Sequence, residues 1–437
     1  MTEAALPDAA DLALGREMHA LAARLFDLPR SLTGDGVRAT LSAVAGLVPL
    51  EVHEVPTGTP VLDWTVPREW NLRRAVLRGP DGAVIADSAR RNLEVVGYSV
   101  PVRGRFPLAE LRPHLHSLPE KPDLVPYRTS YWKEDWGFCL PHRVAAALPE
   151  GEYEVEIDAT LADGHLTYGE LLLPGESAEE ILVSCHVCHP SLANDNLSGR
   201  AVTAFLAREL MARERRWSWR FLWAPGTIGA ITWLARNEAA AARVRAGLVA
   251  ANLGDPGPFH FKRSRRGDTG IDRAVEVALR DLGVPHAIEE FVPFGYDERQ
   301  FCSPGFDLPV GLLSRTPWGR FPEYHTSADD LDVLDPEALA GSLAAYRAVA
   351  GVLEGNRRFR NLFPKGEPQL GRRGLYRSLG GDDRGREREL ALLWVLNQSD
   401  GGPDLLAIAR RSGLPFARLH EAARALETAG LVAPVEE

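Results

Sequence analysis

The chain is poor in cysteine and has no segment that resembles a membrane span. Four of its 437 residues are cysteines. Cys185 and Cys188 form a C-x-x-C pair, but the sequence has no second pair to complete a four-thiolate zinc site. No apolar run approaches the roughly 18 residues that a membrane helix needs, and the first residues lack the pattern of a signal peptide. We therefore expect a cytoplasmic protein with reduced thiols and no membrane partner.

The chain also lacks the excess of positive charge that nucleic-acid-binding proteins carry. Its formal net charge is −10 at pH 7. By charge, the whole protein is therefore not expected to have a nucleic-acid partner. The remaining composition is that of a globular protein, with 45% hydrophobic and 25% charged residues. The length is enough for two to three domains, each with a buried core.

Two different sequence patterns precede the C-terminal segment. Residues 49–117 are rich in valine, tryptophan and turn sequences such as Pro80-Asp81-Gly82, which predicts a small β-rich inserted domain. Residues 1–48 and 118–365 are expected to form the main α/β domain. In this part, short apolar runs such as residues 181–185 alternate with helical patterns such as residues 198–213. The alternation predicts a mixed central sheet flanked by helices.

Residues 380–437 have the pattern of a winged helix. Three helical stretches are followed by Leu431-Val432, which would form the wing. From residue 390 onward, four arginines stand against six acidic side chains. Because DNA attracts cations, this balance argues against a DNA-binding role. We interpret the segment as a packing or oligomerisation module, and we expect a homo-oligomer.

Four polar clusters fall at predicted strand ends or in loops, where open α/β sheets bind their ligands. They are residues 186–190, 193–199, 252–256 and 323–327. Four of their side chains are candidate metal ligands, those of His186, His325, Asp195 and Asp255, because imidazole and carboxylate groups are the usual ligands of catalytic zinc. Simpler interpretations exist, because Asp195 could cap a helix and Asp255 could make a turn. Taken together, the four residues favour a metal site.

These clusters resemble those of the M28 family of zinc aminopeptidases. The resemblance is strongest to a bacterial aminopeptidase-like subgroup with an inserted β-rich domain and a C-terminal winged helix, and it covers nearly the whole chain. The strings that carry it are Tyr131-Trp-x-x-Asp-Trp-Gly-Phe-Cys, Cys188-His-Pro-Ser-Leu-Ala-Asn-Asp-Asn-Leu-Ser-Gly, Asp297-Glu-Arg-Gln-Phe-Cys-Ser-Pro-Gly and Glu323-Tyr-His-Thr-Ser. The resemblance implies a zinc-peptidase (phosphorylase-like) fold.

The resemblance also implies a role for each candidate metal ligand. His186 matches the family's first metal-binding histidine, and Asp195 matches the carboxylate that bridges two metals. Asp255 matches the carboxylate that completes the first site, and His325 matches the late histidine of the second site.

The chain departs from the family pattern at two places. The family has a Glu-Glu pair after the next strand, in which the first Glu is the general base and the second binds metal. The subgroup keeps the base in a Pro-Glu-Thr-Ile-Gly pattern, whereas this chain has Gly226 followed by Thr227. Cys188 stands where a carboxylate normally orients the histidine. We therefore expect one zinc rather than two, held by His186, Asp195 and either Asp255 or His325. Cys188, His189 and Thr227 are expected to surround these ligands.

Metal-assisted hydrolysis also needs a proton acceptor and contacts for the substrate. Glu298 and Glu323 are the predicted catalytic residues, and Asp297 is a further candidate. Simpler interpretations pair Glu298 with Arg299 and let Glu323 hold His325.

For substrate binding we predict Arg263, Arg265, Arg299 and Tyr131. The run from Lys262 to Arg266 would either form a solvated loop or clamp a carboxylate or phosphate group.

The expected function is that of a metal-dependent hydrolase of the aminopeptidase type. Its substrate would be a small amide or amino-acid conjugate, short and peptide-like, in a biosynthetic pathway rather than in bulk peptide turnover. Loss of a general base lowers a rate by roughly 10²–10⁴-fold, so the alternative is a catalytically silent small-ligand-binding protein on a peptidase fold. A redox role for the C-x-x-C pair is disfavoured, because the pair follows a predicted strand and ends in Pro190.

Overall fold

The structure is a computed structural model that describes residues 9–375 and 383–435. The chain divides into two compact units. The first contains residues 9–267 and His286–Ala344, and the second contains Asp268–Pro285 and the chain from Ala345 onward. None of the helices in the described ranges combines the length and the apolarity that crossing a membrane requires.

An eight-stranded mixed sheet forms the centre of the first unit. Its strands in chain order are β1 (Glu51–Pro56), β2 (His165–Leu173), β3 (Ser177–His186), β4 (Trp217–Ala224), β5 (Val244–Ala250), β6 (Phe259–Lys262), β7 (His286–Glu289) and β8 (Val310–Ser314). They lie in the order β1-β2-β4-β3-β5-β8-β6-β7. Strands β4, β3, β5 and β8 are mutually parallel, whereas β1, β2 and β6 each pair antiparallel with a neighbour. The predicted mixed sheet is confirmed.

The inner strands are buried on both faces, as their continuous apolar runs predict. All eight residues of β4 are buried. One of them is charged: Arg220 donates hydrogen bonds to Glu180 of β3 and Glu170 of β2. Mutual pairing satisfies these charges inside the sheet, which is the condition for burying them. Helix Gly199–Met211 packs on β3, β4 and β5 and covers one face.

The other helices that begin in the first unit are mostly short. They are Ala9–Leu25, Asp35–Ala45, Leu108–Leu111, His142–Ala146, Ile228–Arg236, Glu238–Ala241, Glu298–Phe301 and Pro336–Gly355. Two small strand pairs also occur, Pro60–Val61 with Trp64–Thr65 and Leu115–His116 with Phe138–Cys139.

The small β-rich region is a four-stranded antiparallel sheet. Its strands lie in the order Val84–Asp87, Glu69–Arg78, Glu152–Ala162 and Val102–Pro107. This differs from the predicted range 49–117 in two ways. The segment Glu51–Pro56 pairs with β2 of the central sheet, and Glu152–Ala162, from outside that range, lies between two strands of the small sheet. Pairing between distant segments leaves no mark on the local alternation of residues, so the pattern could not assign either strand to its sheet.

The second unit contains the helices expected of a winged helix. They are Asp383–Gln398, Leu405–Ser412 and Phe416–Thr428, and Gly270–Leu282 joins them from earlier in the chain. The terminal strand Val432–Pro434 pairs with Arg358–Asn361, which also pairs with Asp400–Asp404. The wing therefore depends on Arg358–Asn361, which precedes the expected boundary at residue 380. Arg280 of the added helix donates a hydrogen bond to the carbonyl of Ala409.

Candidate active site

The candidate site lies at the carboxyl ends of the parallel strands. His186 is the last residue of β3, Gly226 and Thr227 follow β4, and Asn252 follows β5. Because these strands are parallel and adjacent, their final residues meet at the same edge of the sheet. The loop after β8 brings His325 to that edge.

Asp195 is the point at which these loops meet. It lies in the irregular turn Ala193–Ser198, just before helix Gly199–Met211. Its Oδ1 is 2.9 Å from His186 Nε2, and its Oδ2 is 3.0 Å from His325 Nε2. Burial of Asp195 opposes its ionisation, but the neighbouring His189, His186 and His325 hold its pKa well below the usual range. The centre of the site is therefore an anionic carboxylate between two imidazoles.

His189 is the third imidazole beside this carboxylate. Its ring centroid lies 4.8 Å from that of His186 and 5.2 Å from that of His325. One possible ligand atom from each of His186, His189 and Asp195 lies within 4.8 Å of the others. Burial lowers the pKa of His189 well below its ordinary value, although Asp195 opposes this. His189 is thus a neutral imidazole, the form that binds metals, and this donor set fits zinc.

Asp255, a predicted ligand, is engaged in its own hydrogen bonds. Its Oδ1 accepts from Thr316 Oγ1 at 2.5 Å and from the Gly257 amide at 2.8 Å, and its Oδ2 accepts from Asn194 Nδ2 at 2.9 Å. Neither Asp255 nor His325 belongs to the close group of ligand atoms found among the described residues, although His325 Nε2 lies 3.0 Å from Asp195 Oδ2. Both carboxylate oxygens of Asp255 therefore hold neighbouring loops together. Its position near the end of a predicted strand could not reveal these partners.

Gly226, Thr227 and Cys188 lie beside the histidines. Gly226 and Thr227 line the same cavity as His186. The thiol of Cys188 donates towards the carbonyl of Gly226, with Sγ and O 3.7 Å apart. Burial raises the pKa of Cys188 to about 12, so this thiol is neutral and cannot supply the charge of the carboxylate that it replaces. Cys185 and Cys188 are both buried free cysteines.

A cavity of about 380 Å³ opens over the histidines. It is lined by His186, His189, Gly226, Thr227, Phe294, Gly295, Tyr296, Asp297, Trp318, Tyr324 and His325. Tyr296 stacks on His186 and Tyr324 stacks on His325, with ring centroids 5.1 and 3.8 Å apart. The exposed rings of Phe294 and Trp318 meet edge to face at 4.9 Å. Tyr296 and Tyr324 thus pack against the faces of the two imidazoles. Together with Phe294 and Trp318 they give the cavity apolar walls.

The two predicted catalytic glutamates do not line this cavity. Glu298 is fully buried and forms an ion pair with Lys262. Glu323 is half-buried beside Tyr324, and its backbone carbonyl accepts a hydrogen bond from Thr326 Oγ1. The neighbour of Glu298, Asp297, lines the cavity instead. The single turn Glu298–Phe301 directs adjacent side chains to different surroundings, and the sequence could not show which carboxylate faces the site.

The predicted substrate-binding residues also have other contacts. Arg263 pairs with Glu290, and Arg265 pairs with Asp307. The guanidinium of Arg299 lies 5.7 Å from the centre of the Phe294 ring, outside the set of cavity-lining residues. The arginines therefore do not form the anion clamp that we considered. Arg263 and Arg265 are paired with acidic residues distant in sequence. The sequence around the arginines could not predict these ion pairs.

Tyr131 belongs to a layer of aromatic residues behind the histidines. Its hydroxyl lies 2.7 Å from that of Tyr127, and Tyr127 presents its ring edge-on to both His189 and His325 at about 5 Å. Tyr131 therefore supports the site through Tyr127 in this structure.

Asn252 is a site residue that opens the third polar cluster but was not among the predicted site residues. It has a positive φ of 51°, a conformation rarely adopted by residues other than glycine. Its Nδ2 donates to the hydroxyl of Tyr296 at 3.1 Å, while its buried Oδ1 has no hydrogen-bond partner among the described residues. His325 also has a positive φ, of 54°. Such conformations tend to gather at functional sites. Its place at the start of the third polar cluster, two residues after the end of β5, was the sequence signal for Asn252.

Asp329 anchors the turn that carries Asp195. Its Oδ1 accepts a hydrogen bond from the amide of Asn194 at 2.6 Å, and its Oδ2 accepts one from the amide of Asp195 at 3.1 Å. Its backbone carbonyl accepts a third from Ala193 at 2.9 Å. Asp329 follows His325 by four residues, so it ties the loop that carries His325 to the turn that carries Asp195. The only feature of the sequence that pointed to Asp329 was its position two residues after the fourth polar cluster.

Replacing Asp329 with alanine is expected to weaken zinc binding by about 10–100-fold, the usual effect of losing a group that orients metal ligands. Without this carboxylate, the amides of Asn194 and Asp195 lose their acceptors and the turn is free to move. Competition with a chromogenic chelator would measure the change. Asp330→Ala is the matched control, because Asp330 accepts a hydrogen bond from Asp332 and contacts none of these amides. Equal zinc affinity in the two variants would contradict the anchoring role.

Comparisons with known proteins agree with this architecture. Residues 19–356 match the model of a family described as a domain of unknown function (DUF4910), and residues 357–434 match a winged helix-turn-helix. A protein of Clostridium acetobutylicum named "Putative polysaccharide biosynthesis protein with aminopeptidase-like domain" is 48% identical over 412 residues, covering 94% of this chain and 95% of its own.

Solved structures similar to this chain include peptidases. A crystal structure of a "putative peptidase" from Clostridium acetobutylicum is 46% identical, covers 97% of each chain and has a TM-score of 0.92. The zinc aminopeptidase BSAP of Bacillus subtilis is 12% identical, with a TM-score of 0.57, and the match covers 80% of this chain and 96% of that one. At this identity the second match shows the fold alone. The predicted aminopeptidase-like domain is confirmed by the named relative, its fold by the M28 structures, and the C-terminal winged helix by the family model.

Proposed function

Because this chain belongs to the DUF4910 family, with an aminopeptidase-like fold followed by a winged helix, we propose that it is a zinc-dependent hydrolase of small amides or amino-acid conjugates. The name of the Clostridium acetobutylicum relative supports a place in polysaccharide biosynthesis rather than in peptide turnover. Acidic side chains outnumber basic ones from residue 390 onward, and this excess favours a role in packing or self-association over DNA binding.

The observation that carries this proposal is the arrangement of three imidazoles around the carboxylate of Asp195. Asp195 accepts hydrogen bonds from His186 and His325, and the oxygen and nitrogen atoms joined by these bonds are the atoms that would coordinate a metal. His189 stands close enough to be a fourth ligand. With Asp255 bonded elsewhere and glycine and threonine at residues 226 and 227, one zinc is favoured over two. Zinc bound here would polarise a substrate carbonyl and acidify a water molecule.

The cavity supports the choice of substrate class. At about 380 Å³ it is near the lower end for ligand sites, which suits a small molecule or the end of a short peptide-like chain. The residues that line it include two aromatic rings at the mouth and an aspartate inside, and none of them is arginine or lysine. A neutral or amine-bearing substrate suits this lining better than an acidic one, because apart from the proposed zinc the cavity offers an anion no arginine or lysine side chain.

Metal content and turnover together test the proposal. Protein purified without added metal is expected to contain about one zinc per chain by elemental analysis. It should hydrolyse leucine p-nitroanilide slowly, lose this activity with a chelator and regain it with zinc. Two equivalents would favour a dinuclear site, and none would overturn the proposal. One zinc with no product from a panel of aminoacyl amides, followed by mass spectrometry, would favour the silent ligand-binding alternative.

A further inference from the structure

Gly226 leaves a space that the carboxylate of Asp297 faces. A Cβ added to Gly226 would lie 3.4 Å from Asp297 Oδ1 and 3.7 Å from Asp297 Oδ2. It would also lie 3.1 Å from the Cβ of His186, which is closer than most real contacts of this kind. Any side chain at residue 226 would therefore enter the space between His186 and the carboxylate of Asp297. The pattern that this chain resembles has a glutamate at residue 226, and here the carboxylate of Asp297 faces the same space.

Asp297 has an environment that is hard to explain structurally. It is 1% exposed, and neither of its carboxylate oxygens has a hydrogen-bond partner among the described residues. A buried polar group without a partner costs free energy that an apolar side chain would avoid. Asp297 nevertheless lines the cavity that contains His186, His189 and His325. An unpartnered carboxylate directed into such a cavity is available for a ligand or a water molecule.

The preceding residue ties Asp297 to the histidines. Tyr296 stacks on the ring of His186, and its hydroxyl accepts a hydrogen bond from Asn252. The position of Asp297 is thus set by the last residue of β3 and by a residue that follows β5. The other carboxylates considered from the sequence lack this placement, because Glu298 is paired with Lys262 and Glu323 does not line the cavity.

We propose that Asp297 is the proton acceptor of the hydrolytic reaction and takes the place of the carboxylate missing at residue 226. This inference rests on the proposed function. As the oxygen of the attacking water forms a bond to the substrate carbonyl carbon, one of its protons passes to the Asp297 carboxylate. When the carbon–nitrogen bond breaks, Asp297 returns that proton to the leaving amine. The products are a carboxylic acid and an amine, and Asp297 is again a carboxylate.

Moving the carboxylate between the two positions tests this role. In zinc-loaded protein, Asp297→Ala is expected to lower kcat for leucine p-nitroanilide by about 10²–10⁴-fold, the range for loss of a general base, while the zinc content stays the same. Adding Gly226→Glu to Asp297→Ala should restore most of the lost rate, because the alanine leaves room for the new side chain. Asp307→Asn is the control, since Asp307 pairs with Arg265 and Arg266 outside the cavity. It should keep the wild-type rate.

A crystal structure of the zinc-loaded wild type provides a readout that does not depend on the choice of substrate. An oxygen of Asp297 is expected within about 2.6–3.2 Å of a water molecule in the site, the distance that proton transfer requires. Zinc present with Asp297 turned away from every such water would overturn the inference alone, as would full activity of zinc-loaded Asp297→Ala. A wild type that binds no zinc would overturn the proposed function, and this inference with it.

Discussion

Replacing Asp195 with asparagine is expected to lower zinc affinity by at least about 100-fold, beyond the range for groups that only orient ligands. Asp195 is fully buried and lies within hydrogen-bond distance of both His186 and His325. Asparagine keeps the size of the side chain but removes the negative charge that would balance a zinc ion. Zinc competition with a chelator of known affinity, followed by elemental analysis after dialysis, would measure the loss.

The matched control for this variant is Asp255→Asn. Asp255 is also buried near the site, but its oxygens accept hydrogen bonds from Thr316, Gly257 and Asn194. The change should therefore leave the zinc stoichiometry unaltered, with at most a loss of stability. If Asp255→Asn released zinc as completely as Asp195→Asn, Asp255 would be a ligand. The proposed ligand group of His186, His189 and Asp195 would then be wrong.

Asp297→Asn is expected to change how the stability of the metal-free protein depends on pH. Burial, with a contribution from Glu298, raises the pKa of Asp297 to about 8, although Arg299 opposes this. The unfolded carboxyl titrates near its ordinary value of about 3.9. Between these two values the folded, metal-free protein holds a proton that the unfolded protein releases, whereas the positive charge of a bound zinc would favour the carboxylate form that accepts a proton in the proposed reaction. The free energy of unfolding should therefore fall as pH rises, by at most about 1.4 kcal/mol per pH unit.

Urea unfolding in the presence of a chelator at pH 5, 6, 7 and 8 would measure this slope. The wild type should lose stability across the series, and Asp297→Asn should remove that part of the loss, because its amide does not titrate. Asp307→Asn serves as the control: Arg266 and Arg265 hold the pKa of Asp307 below its usual range, so it is ionised throughout. The same slope in the wild type and in Asp297→Asn would show that Asp297 is already ionised near neutral pH.

Much of the fold could be predicted because its signals are local. The alternation of apolar runs and helical patterns indicated the mixed sheet, and specific strings such as Cys188–Gly199 carried the resemblance to zinc aminopeptidases. His186 ends β3, and Gly226 lies two residues after the end of β4, so both stand next to strands that the sequence pattern indicates. The sequence alone could therefore locate His186 and Gly226. The assignment of β1 to the central sheet could not be predicted, because it depends on pairing with β2 more than 100 residues later.

The sequence by itself determined the class of fold and the residue types available for metal chemistry, and it showed that no glutamate stands at residue 226. Tertiary structure decided which of these residues meet. It brings His189 to Asp195, engages Asp255 with Thr316, and separates the adjacent Asp297 and Glu298 into different surroundings. The physical reason is that hydrogen bonds and ion pairs form between segments far apart in the chain. The direction in which a carboxylate points depends on those partners, and its own neighbours in sequence do not encode it.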